Sequence, residues 1–509
     1  MNTDLKSEAT LKYPSLAAIA EKPETLWLDA VVDNSIIGMR DVLYFVPELV
    51  QNPSFRPISN SYIKVDANVE GTLSNLAIEH LRASGLRGTE VFVSGNVRNV
   101  TDPDNLYLNL KINKLASTRT DVLALAPKGT IPPDIQLPPT FSMSGRYVGS
   151  LTNFDANATI RTTYGNLTAD VDMDAGRKGA EPFKAKINTQ GFDLGKLLTD
   201  DMGLGKVSAE ATISGTGLDP NQMVAKLKAN VRSLEYNGYT YKDVVVNSDI
   251  NRNLYTIDAS SQDPNLAFNL TGDVNLRNAN NPDFNLDLKL QGINLQALNL
   301  YPEDIRIEGN ITTDINGKDL RTLNGTIIGN KLIVVKDGKR FPVDSLNLSI
   351  AQKAPLTEIK LTSDVADANI RTENNLEDFI SAATKHFSNY FDLQPDPPFP
   401  ANLALRDFNF DIRLRKTELI AAFVPGLERL VASGPITGSY DGESQDLKVN
   451  GALKRITYLS YDVKAVSIKL DGDRTKIDYA VTVKELSDSS LLVNNISLSG
   501  TARDNTIST

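Results

Sequence analysis

Hydrophobic and polar residues alternate along most of this chain with a period of two. In the segment FNLDLKLQG, residues 284–292, the apolar side chains fall on one side and the Asn, Asp, Lys and Gln side chains fall on the other. Such alternation is typical of β-strands that bury one face. The candidates that we select for this apolar face are Val207, Ile213, Leu266, Phe268, Leu270, Leu286, Leu288, Leu290, Phe408, Phe410, Ile412 and Leu414.

Short turn sequences separate the alternating segments. Asn-Gly or Asp-Gly dipeptides occur at residues 237–238, 337–338, 441–442 and 471–472. These dipeptides favour the tight turns that join antiparallel strands. The pattern therefore predicts an all-β fold in which consecutive strands form an antiparallel meander with one apolar face.

Segments with helical spacing are short and recur between strands. They begin near residues 119, 192, 295 and 417, and a strand that contains glycine follows each of them. Similar hairpins recur after three of them at a spacing on the order of 100 to 120 residues, which indicates sheet-forming blocks of several strands. The predicted modules are an N-terminal partial module with helical pieces at residues 1–60 and four β-groove blocks at residues 61–186, 187–288, 289–400 and 401–509.

The longest helix candidate covers residues 374–393 and precedes a proline-rich break, QPDPPFPA. Its single histidine, His386, is predicted to lie at the polar edge of the helix. Three roles are open: packing on the sheet, contact with a membrane surface, or occupancy of a groove as a gate. A near-neutral charge without a Lys- and Arg-rich face argues against the membrane surface, and packing is favoured over gating. The apolar candidates on this helix are Phe379, Ile380, Phe387 and Tyr390.

Composition narrows the classes of function. A net charge of −10 and a pI near 5.0 argue against nucleic acid as a partner. Because the chain has no cysteine and only two histidines, thiol chemistry and zinc-thiolate sites are excluded and no metal site is indicated. We find no catalytic motif and predict a non-enzymatic protein without a cofactor. The absence of cysteine also favours an oxidising envelope compartment over the cytosol.

Neither end of the sequence carries a targeting signal that we can identify. The N-terminal MNTDLKSEATLKYP lacks the apolar core of a signal peptide, and no apolar run reaches the roughly 18 residues that span a bilayer. The sequence also stops soon after a strand-like segment. We therefore expect it to be an internal segment of a longer protein.

The apolar face of the predicted sheet needs a covering partner. The inward positions are mostly Leu, Val, Ile and Ala, and the inserted helices are too short to cover so large a sheet. A sheet that curls over its own apolar face without closing would leave a groove along the molecule. Such a groove suits acyl chains, because each buried methylene contributes about 0.8 kcal/mol and smooth aliphatic walls permit sliding.

Two stretches carry a resemblance to a known family. They are GFDLGKLLTDDMGLGKVSAEATISGTGLDP, residues 191–220, and LEYNGYTYKDVVVNSDINRNLYTIDASSQDPNLAFNLTGDVNLR, residues 234–277. Their Leu-Gly step into a strand, Gly-x-Gly, Asn-Gly-Tyr hairpin and Asp-Pro-Asn turn resemble the AsmA-like envelope proteins of the TamB type in their Bacteroidota form. Residues 93–125 resemble the preceding block of the same family, and the general pattern extends over most of residues 60–505.

The resemblance implies a function and a location. It implies an elongated, taco-shaped β-groove that spans the periplasm of a Gram-negative bacterium and moves phospholipid between the inner and outer membranes. The family's inner-membrane anchor and the domain that meets an Omp85-type outer-membrane barrel (TamA or BamA-like) have no counterpart in this sequence. An alternative is a scaffold or chaperone that pairs its sheet edges with strands of outer-membrane or autotransporter proteins during assembly and secretion. The alternation agrees with lipid transport and says little about the scaffold.

Overall fold

The computed structural model describes residues 3–45, 47, 58–126, 129, 131–177, 179–199, 203–390 and 403–509. Strands account for 63% of these described residues and helices for 9%. The strands form one long antiparallel sheet of 30 strands that does not close. The predicted fold class, an all-β antiparallel sheet with short inserted helices, is confirmed.

Contacts divide the chain into two units. Unit 1 contains residues 1–253 and 261–263, and unit 2 contains residues 254–260 and 264–509. The five predicted modules are not tested by this division and stay a prediction. The strands of unit 1 are β1 (Ser7–Lys12), β2 (Trp27–Gly38), β3 (Tyr62–Thr72), β4 (Asn75–Gly85), β5 (Thr89–Arg98), β6 (Tyr107–Thr118), β7 (Thr140–Ser150), β8 (Asn153–Thr162), β9 (Gly165–Asp174), β10 (Pro182–Gln190), β11 (Phe192–Asp193), β12 (Leu204–Thr216), β13 (Val224–Tyr236) and β14 (Tyr239–Asn251).

The next strand, β15 (Leu254–Asp263), contributes residues to both units. The remaining strands belong to unit 2. They are β16 (Leu266–Asn275), β17 (Asp283–Asn294), β18 (Ile305–Asn316), β19 (Asn324–Lys336), β20 (Lys339–Lys353), β21 (Leu356–Ser363), β22 (Ala366–Thr372), β23 (Phe408–Leu414), β24 (Leu427–Ala432), β25 (Ile436–Tyr440), β26 (Leu447–Tyr458), β27 (Tyr461–Gly472), β28 (Ile477–Ser487), β29 (Leu492–Arg503) and β30 (Thr506–Ser508).

The helices are few and short. The N-terminal residues 1–60 hold two of them and also two strands, β1 and β2, that the sequence pattern did not predict. The proline-rich break at residues 394–401 lies outside the described residues. The helices are α1 (Ala18–Glu21), α2 (Met39–Phe45), α3 (Arg119–Leu125), α4 (Leu194–Leu198), α5 (Leu376–Phe387) and α6 (Glu418–Ala422), with 3-10 turns at Pro23–Thr25 and Pro103–Asn105.

Strand order follows chain order within each unit. In unit 1, β1 to β10 pair in succession, β10 pairs with β12, and β12 to β14 continue the meander. In unit 2, β16 to β23 pair in succession, β23 pairs with β25, and β25 to β30 continue. Nearest-neighbour pairing of this kind follows directly from the tight turns between the strands.

Register shifts recur in alternate strands of unit 1. They occur between Val32 and Ser35 in β2, between Ile78 and Leu81 in β4, and between Ile112 and Leu115 in β6. A bulge bends its strand and increases the local twist. We therefore expect β2, β4 and β6 each to bend near its register shift.

The short inserts lie at the ends of the strands. In an antiparallel meander every second strand runs in the same direction. Helices α2, α3 and α4 come after β2, β6 and β10, so all three lie at the same end of the strands of unit 1. The hydroxyl of Thr118 accepts a hydrogen bond from the Asp121 amide at 3.2 Å, and the Asp193 carboxylate accepts one from the Lys196 amide at 3.0 Å. These two side chains begin α3 and α4.

One predicted helical insert forms turns instead. Residues 295–300 contain a single helical hydrogen bond, from the Leu298 amide to the Asn294 carbonyl at 3.2 Å. The segment cannot continue as a helix because Asn299 takes the left-handed conformation at φ 59° and Pro302 follows. In unit 2 this turn and α6 lie at one end of the strands. Helix α5 lies at the other end because it follows β22, which runs in the opposite direction.

We predict that Gly272→Ala loosens β16 and β17. Gly272 has φ 145°, and an added Cβ would lie 2.1 Å from the Asn285 carbonyl oxygen of the paired strand. Strain of this kind costs about 1–3 kcal/mol, so we expect amide hydrogen exchange in residues 266–294 to become about 5- to 150-fold faster. Gly292→Ala is the matched control, because its Cβ would meet nothing within 4 Å. Equal exchange in both variants would contradict the prediction.

Candidate functional site: the apolar face of the sheet

Cross-strand pairing aligns the apolar residues of unit 1 into continuous rows. Side chains paired in this way lie about 4.5–5.5 Å apart at Cβ. The first row runs from β1 to β13 through direct pairs. Its members are Ala9, Ala30, Val69, Ile78, Gly95, Leu110, Tyr147, Ala156, Val171, Ala185, Ile213 and Leu227.

Two further rows flank the first. Both are formed entirely by apolar residues and glycine, and together the three rows constitute what we call the apolar face of unit 1. One row consists of Val32, Ala67, Leu81, Val93, Ile112, Gly145, Ala158, Ala169, Ile187, Ala211, Ala229 and Val246. The other consists of Leu11, Leu28, Gly71, Leu76, Val97, Leu108, Gly149, Phe154, Met173, Phe183, Gly215, Ala225 and Ile250.

Unit 2 has an apolar face of the same construction. A shorter row joins Leu270, Leu288 and Ile311 on β16, β17 and β18. A longer row extends from β16 to β29 and, like those of unit 1, contains no charged residue. It consists of Val274, Phe284, Ile315, Gly325, Ile350, Ile359, Ile370, Phe410, Gly438, Val449, Leu470, Tyr479 and Gly500.

The structure brings the sequence-predicted residues onto these two faces. Each of the twelve strand candidates pairs with an apolar residue or glycine on at least one neighbouring strand. Val207 pairs with Phe192 and Leu234, and Ile213 with Ala185 and Leu227. The remaining pairs are Leu266 with Ile293, Phe268 with Leu290, Leu270 with Leu288, Leu286 with Gly272, Phe408 with Tyr440, Phe410 with Ile370, Ile412 with Ala368 and Leu414 with Ala366.

Most side chains on these faces are only partly buried. Along β8 and β9, exposed polar residues alternate without interruption with half-buried apolar ones. Of the candidates on β16 and β17, only Leu290 is buried, at 8% exposure. A residue on a covered sheet face would approach full burial. The side chains of neighbouring rows therefore shield one another within the sheet, and the outer surface of the apolar face remains partly accessible to solvent.

The contacts between strands explain this exposure. The described strands of each unit belong to one sheet, and they contact mainly the strands that lie next to them in it.

Helix α5 is the exception, because it covers part of the apolar face of unit 2. Its Phe379 ring contacts Phe408 edge to face with the ring centroids 5.4 Å apart. Phe387 also packs against the strand ends, whereas Ile380 points away and is 49% exposed. The predicted packing role is thus observed. The buried cluster beneath the helix consists of Ala382, Tyr390, Leu405, Phe408, Tyr440, Leu447, Ile477 and Ala502.

Polar contacts at the surface hold the beginning of α5. The Asn375 side chain accepts a hydrogen bond from the Asp378 amide at 2.9 Å, which begins the helix. The Gln352 side chain on β20 accepts one from the Leu376 amide at 2.8 Å. Arg321, between β18 and β19, lies 3.1 Å from the Glu377 carboxylate. This end of the helix is therefore tied to neighbouring strand ends by one exposed ion pair and one part-buried hydrogen bond.

A buried polar group holds the end of α5. Tyr390 is 0% exposed, and its hydroxyl donates a hydrogen bond to the Asp473 carbonyl in the turn before β28. The same hydroxyl lies 2.8 Å from His386 Nε2. Since the tyrosine proton is used for Asp473, His386 donates through Nε2–H. Gly472 makes room for the ring, because a Cβ there would lie 2.9 Å from the hydroxyl.

Burial shifts the ionisation of these groups. Desolvation lowers the pKa of His386 below its ordinary value, and the nearby Asp473 carboxylate opposes this shift only in part. Desolvation likewise raises the pKa of Tyr390 and that of Tyr440. At neutral pH the cluster is therefore uncharged. The prediction that His386 lies at the polar edge of the helix is wrong, because this side chain is 7% exposed and faces Tyr440 at 4.8 Å between rings.

Other site chemistries find little support among the described residues. There, no group of three or more His, Cys, Asp or Glu side chains could hold a metal ion. None of the helices in the described ranges is long and apolar enough to cross a membrane.

Comparison of the chain with protein-family models, with curated proteins and with solved structures found no significant match. The resemblance to AsmA-like proteins accordingly stays a prediction.

We predict that Tyr390→Phe loosens the end of α5 without unfolding the sheet. The change leaves the buried Asp473 carbonyl and the His386 Nε2–H without their partner, which costs about 1–3 kcal/mol. Amide exchange in residues 376–390 should then become about 5- to 150-fold faster. Tyr479→Phe is the control, because its hydroxyl bonds the Ser508 carbonyl at 3.2 Å at an exposed position. Unchanged exchange in Tyr390→Phe would show that this bond does not hold the helix.

Proposed function

We propose that this chain is a segment of a bridge-like lipid-transfer protein that carries phospholipid acyl chains along its apolar faces. The observation that carries the proposal is the set of uninterrupted apolar rows whose side chains remain partly exposed. Contact between these rows and water costs free energy, and acyl chains that lie on the rows would displace the water and remove that cost. Phospholipid headgroups would stay in water.

The length of the rows suits several lipids in succession. Neighbouring strands are about 4.8 Å apart, so the twelve-strand row of unit 1 extends over roughly 50–55 Å. An acyl chain in one leaflet occupies about 15 Å, half of the bilayer core. One row therefore accommodates a file of chains, and each methylene that it buries contributes about 0.8 kcal/mol.

The chemistry of the rows favours movement over tight binding. The rows contain almost only aliphatic side chains, glycine and a few aromatic rings, so no charged group along them would fix a headgroup at one position. Neighbouring positions along a row then bind an acyl chain with similar free energy. A lipid can shift from strand to strand without breaking a strong polar contact.

Location and partners rest on the family resemblance. We propose that the full-length protein lies in the periplasm of a Gram-negative bacterium and connects the inner membrane with an Omp85-type outer-membrane barrel through regions outside this sequence. Lipid transport would then serve outer-membrane biogenesis. Neither an enzymatic reaction nor a cofactor is part of the proposal.

We predict that Leu288→Asp reduces the phospholipid bound to the chain. Leu288 lies between Leu270 and Ile311 in an open row, and a carboxylate there would have to stay hydrated where an acyl chain would lie. Native mass spectrometry and solvent extraction should find several phospholipids on the wild-type chain and clearly fewer on the variant. Lys289→Asp is the matched control, because the neighbouring side chain lies on the exposed polar face.

A photocrosslinking residue at the same two positions separates loss of binding from loss of folding. A benzoylphenylalanine at position 288 should crosslink to phospholipid, and one at position 289 should not. Crosslinks to phospholipid at both positions, or at neither, would overturn the proposal. Crosslinks to unfolded outer-membrane proteins in place of lipid would favour the assembly scaffold.

A further inference from the structure

Helix α5 occupies the kind of surface that remains open elsewhere in unit 2. The row of Leu270, Leu288 and Ile311 has no helix above it, whereas Phe408, Tyr440 and Leu447 lie beneath α5 and are buried. The side chains that cover them are apolar, as an acyl chain would be. An acyl chain and α5 cannot occupy this part of the face together.

The helix is held in two ways that differ in chemistry. At its beginning, Arg321 forms an exposed ion pair with Glu377, and the Gln352 and Asn375 side chains accept part-buried hydrogen bonds. At its end, the hydroxyl of Tyr390 joins His386 to the Asp473 carbonyl inside the buried cluster. Loss of the second contact leaves this end attached by apolar packing and by the Asn505 amide, which donates a hydrogen bond to the Tyr390 carbonyl at 3.1 Å.

We propose that α5 is a strap that closes the apolar face of unit 2 at this edge, and that protonation of His386 releases it. The inference rests on the proposed function only for what the open face binds. The release itself is a property of the chain and can be measured without lipid.

The surroundings of His386 give protonation its effect. On its own helix it faces Tyr390 and Phe387, and on β25 it faces Tyr440. The nearest carboxylate, Asp473, already accepts hydrogen bonds from the Thr475 amide and hydroxyl and from the Lys476 amide. Lys476 itself is paired with Asp478 at 2.7 Å. A positive imidazolium would therefore sit among aromatic rings without a free counter-ion.

The sign of the pH dependence follows from the lowered pKa of the docked His386. In the released helix the imidazole meets water and regains its ordinary pKa of about 6.5. The docked state is favoured fully above that value, and its advantage declines as the pH falls toward the lower pKa of the docked state. Acid should open the strap, and neutral pH should close it.

Hydrogen exchange tests the release. Between about pH 7.5 and about pH 5, exchange in residues 376–390, corrected for the intrinsic rate, should become faster by up to about 30-fold, the limit set by the 1.5 pH units between pH 5 and the ordinary histidine pKa of about 6.5. His386→Gln should abolish the acid effect, because the amide can still donate to Tyr390 and does not titrate. His80→Gln is the control, since His80 is the other histidine of the chain and pairs with Asp66 in unit 1. Exchange that is independent of pH, or an acid effect that survives His386→Gln, would overturn the proposal.

A lipid probe separates this proposal from the proposed function. The probe is a phosphatidylcholine with a photoactivatable diazirine on one acyl chain, and the sites read are the peptides that contain Leu288 and Tyr440. We expect labelling near Leu288 at both pH values and labelling near Tyr440 only in acid. Labelling near Tyr440 that is equal at both pH values would refute the strap and leave the proposed function intact. No labelling at either site would refute the proposed function, while the exchange data would still decide whether the helix is released.

Discussion

Everything in this structure depends on the backbone pairing of each strand with the strand that precedes and follows it. Pairing fixes the register, and register decides which residues share a face, because a slip of one residue would move an entire strand's apolar set to the other side. The rows through Ile213 in unit 1 and Leu288 in unit 2 exist because successive hairpins keep apolar residues opposite one another. Where register does shift, as at Ile78 and Leu81, a bulge absorbs the extra residues and the row continues.

Stability in such a chain comes from neighbours along the sheet rather than from one central core. Each strand contacts its two neighbours, so the free energy is approximately a sum of local terms, as in repeat proteins. Apolar residues such as Ala158 and Val171 gain their shielding from adjacent strands and keep part of their surface in water. Folding therefore leaves part of the surface of these apolar residues in contact with water.

The sequence predicted the strands and their apolar face well because both depend on local pattern. The alternation around Leu288 and the turn at residues 237–238 are encoded within a few residues of each position. Other features depend on distant parts of the chain. His386 is buried next to Tyr390. The hydroxyl of Tyr390 packs against Gly472 and donates a hydrogen bond to the Asp473 carbonyl, and both of these residues lie more than 80 positions later in the chain. The strands β1 and β2 escaped prediction because prolines interrupt the pattern around them.

In the buried cluster beneath α5, two kinds of interaction stabilise unit 2: the hydrogen bonds between strands and the packing of the helix on the strands. Ladder hydrogen bonds hold β23, β25 and β26 whether or not the helix is present, since Phe408, Tyr440 and Leu447 pair directly across the strands. The helix adds apolar packing on top of that ladder, and a backbone hydrogen bond from the Asn505 amide to the Tyr390 carbonyl joins the residues after the helix to the turn before β30. A change that releases α5 therefore exposes the face without dismantling the sheet, so coverage of the face and integrity of the fold are separate properties of the chain.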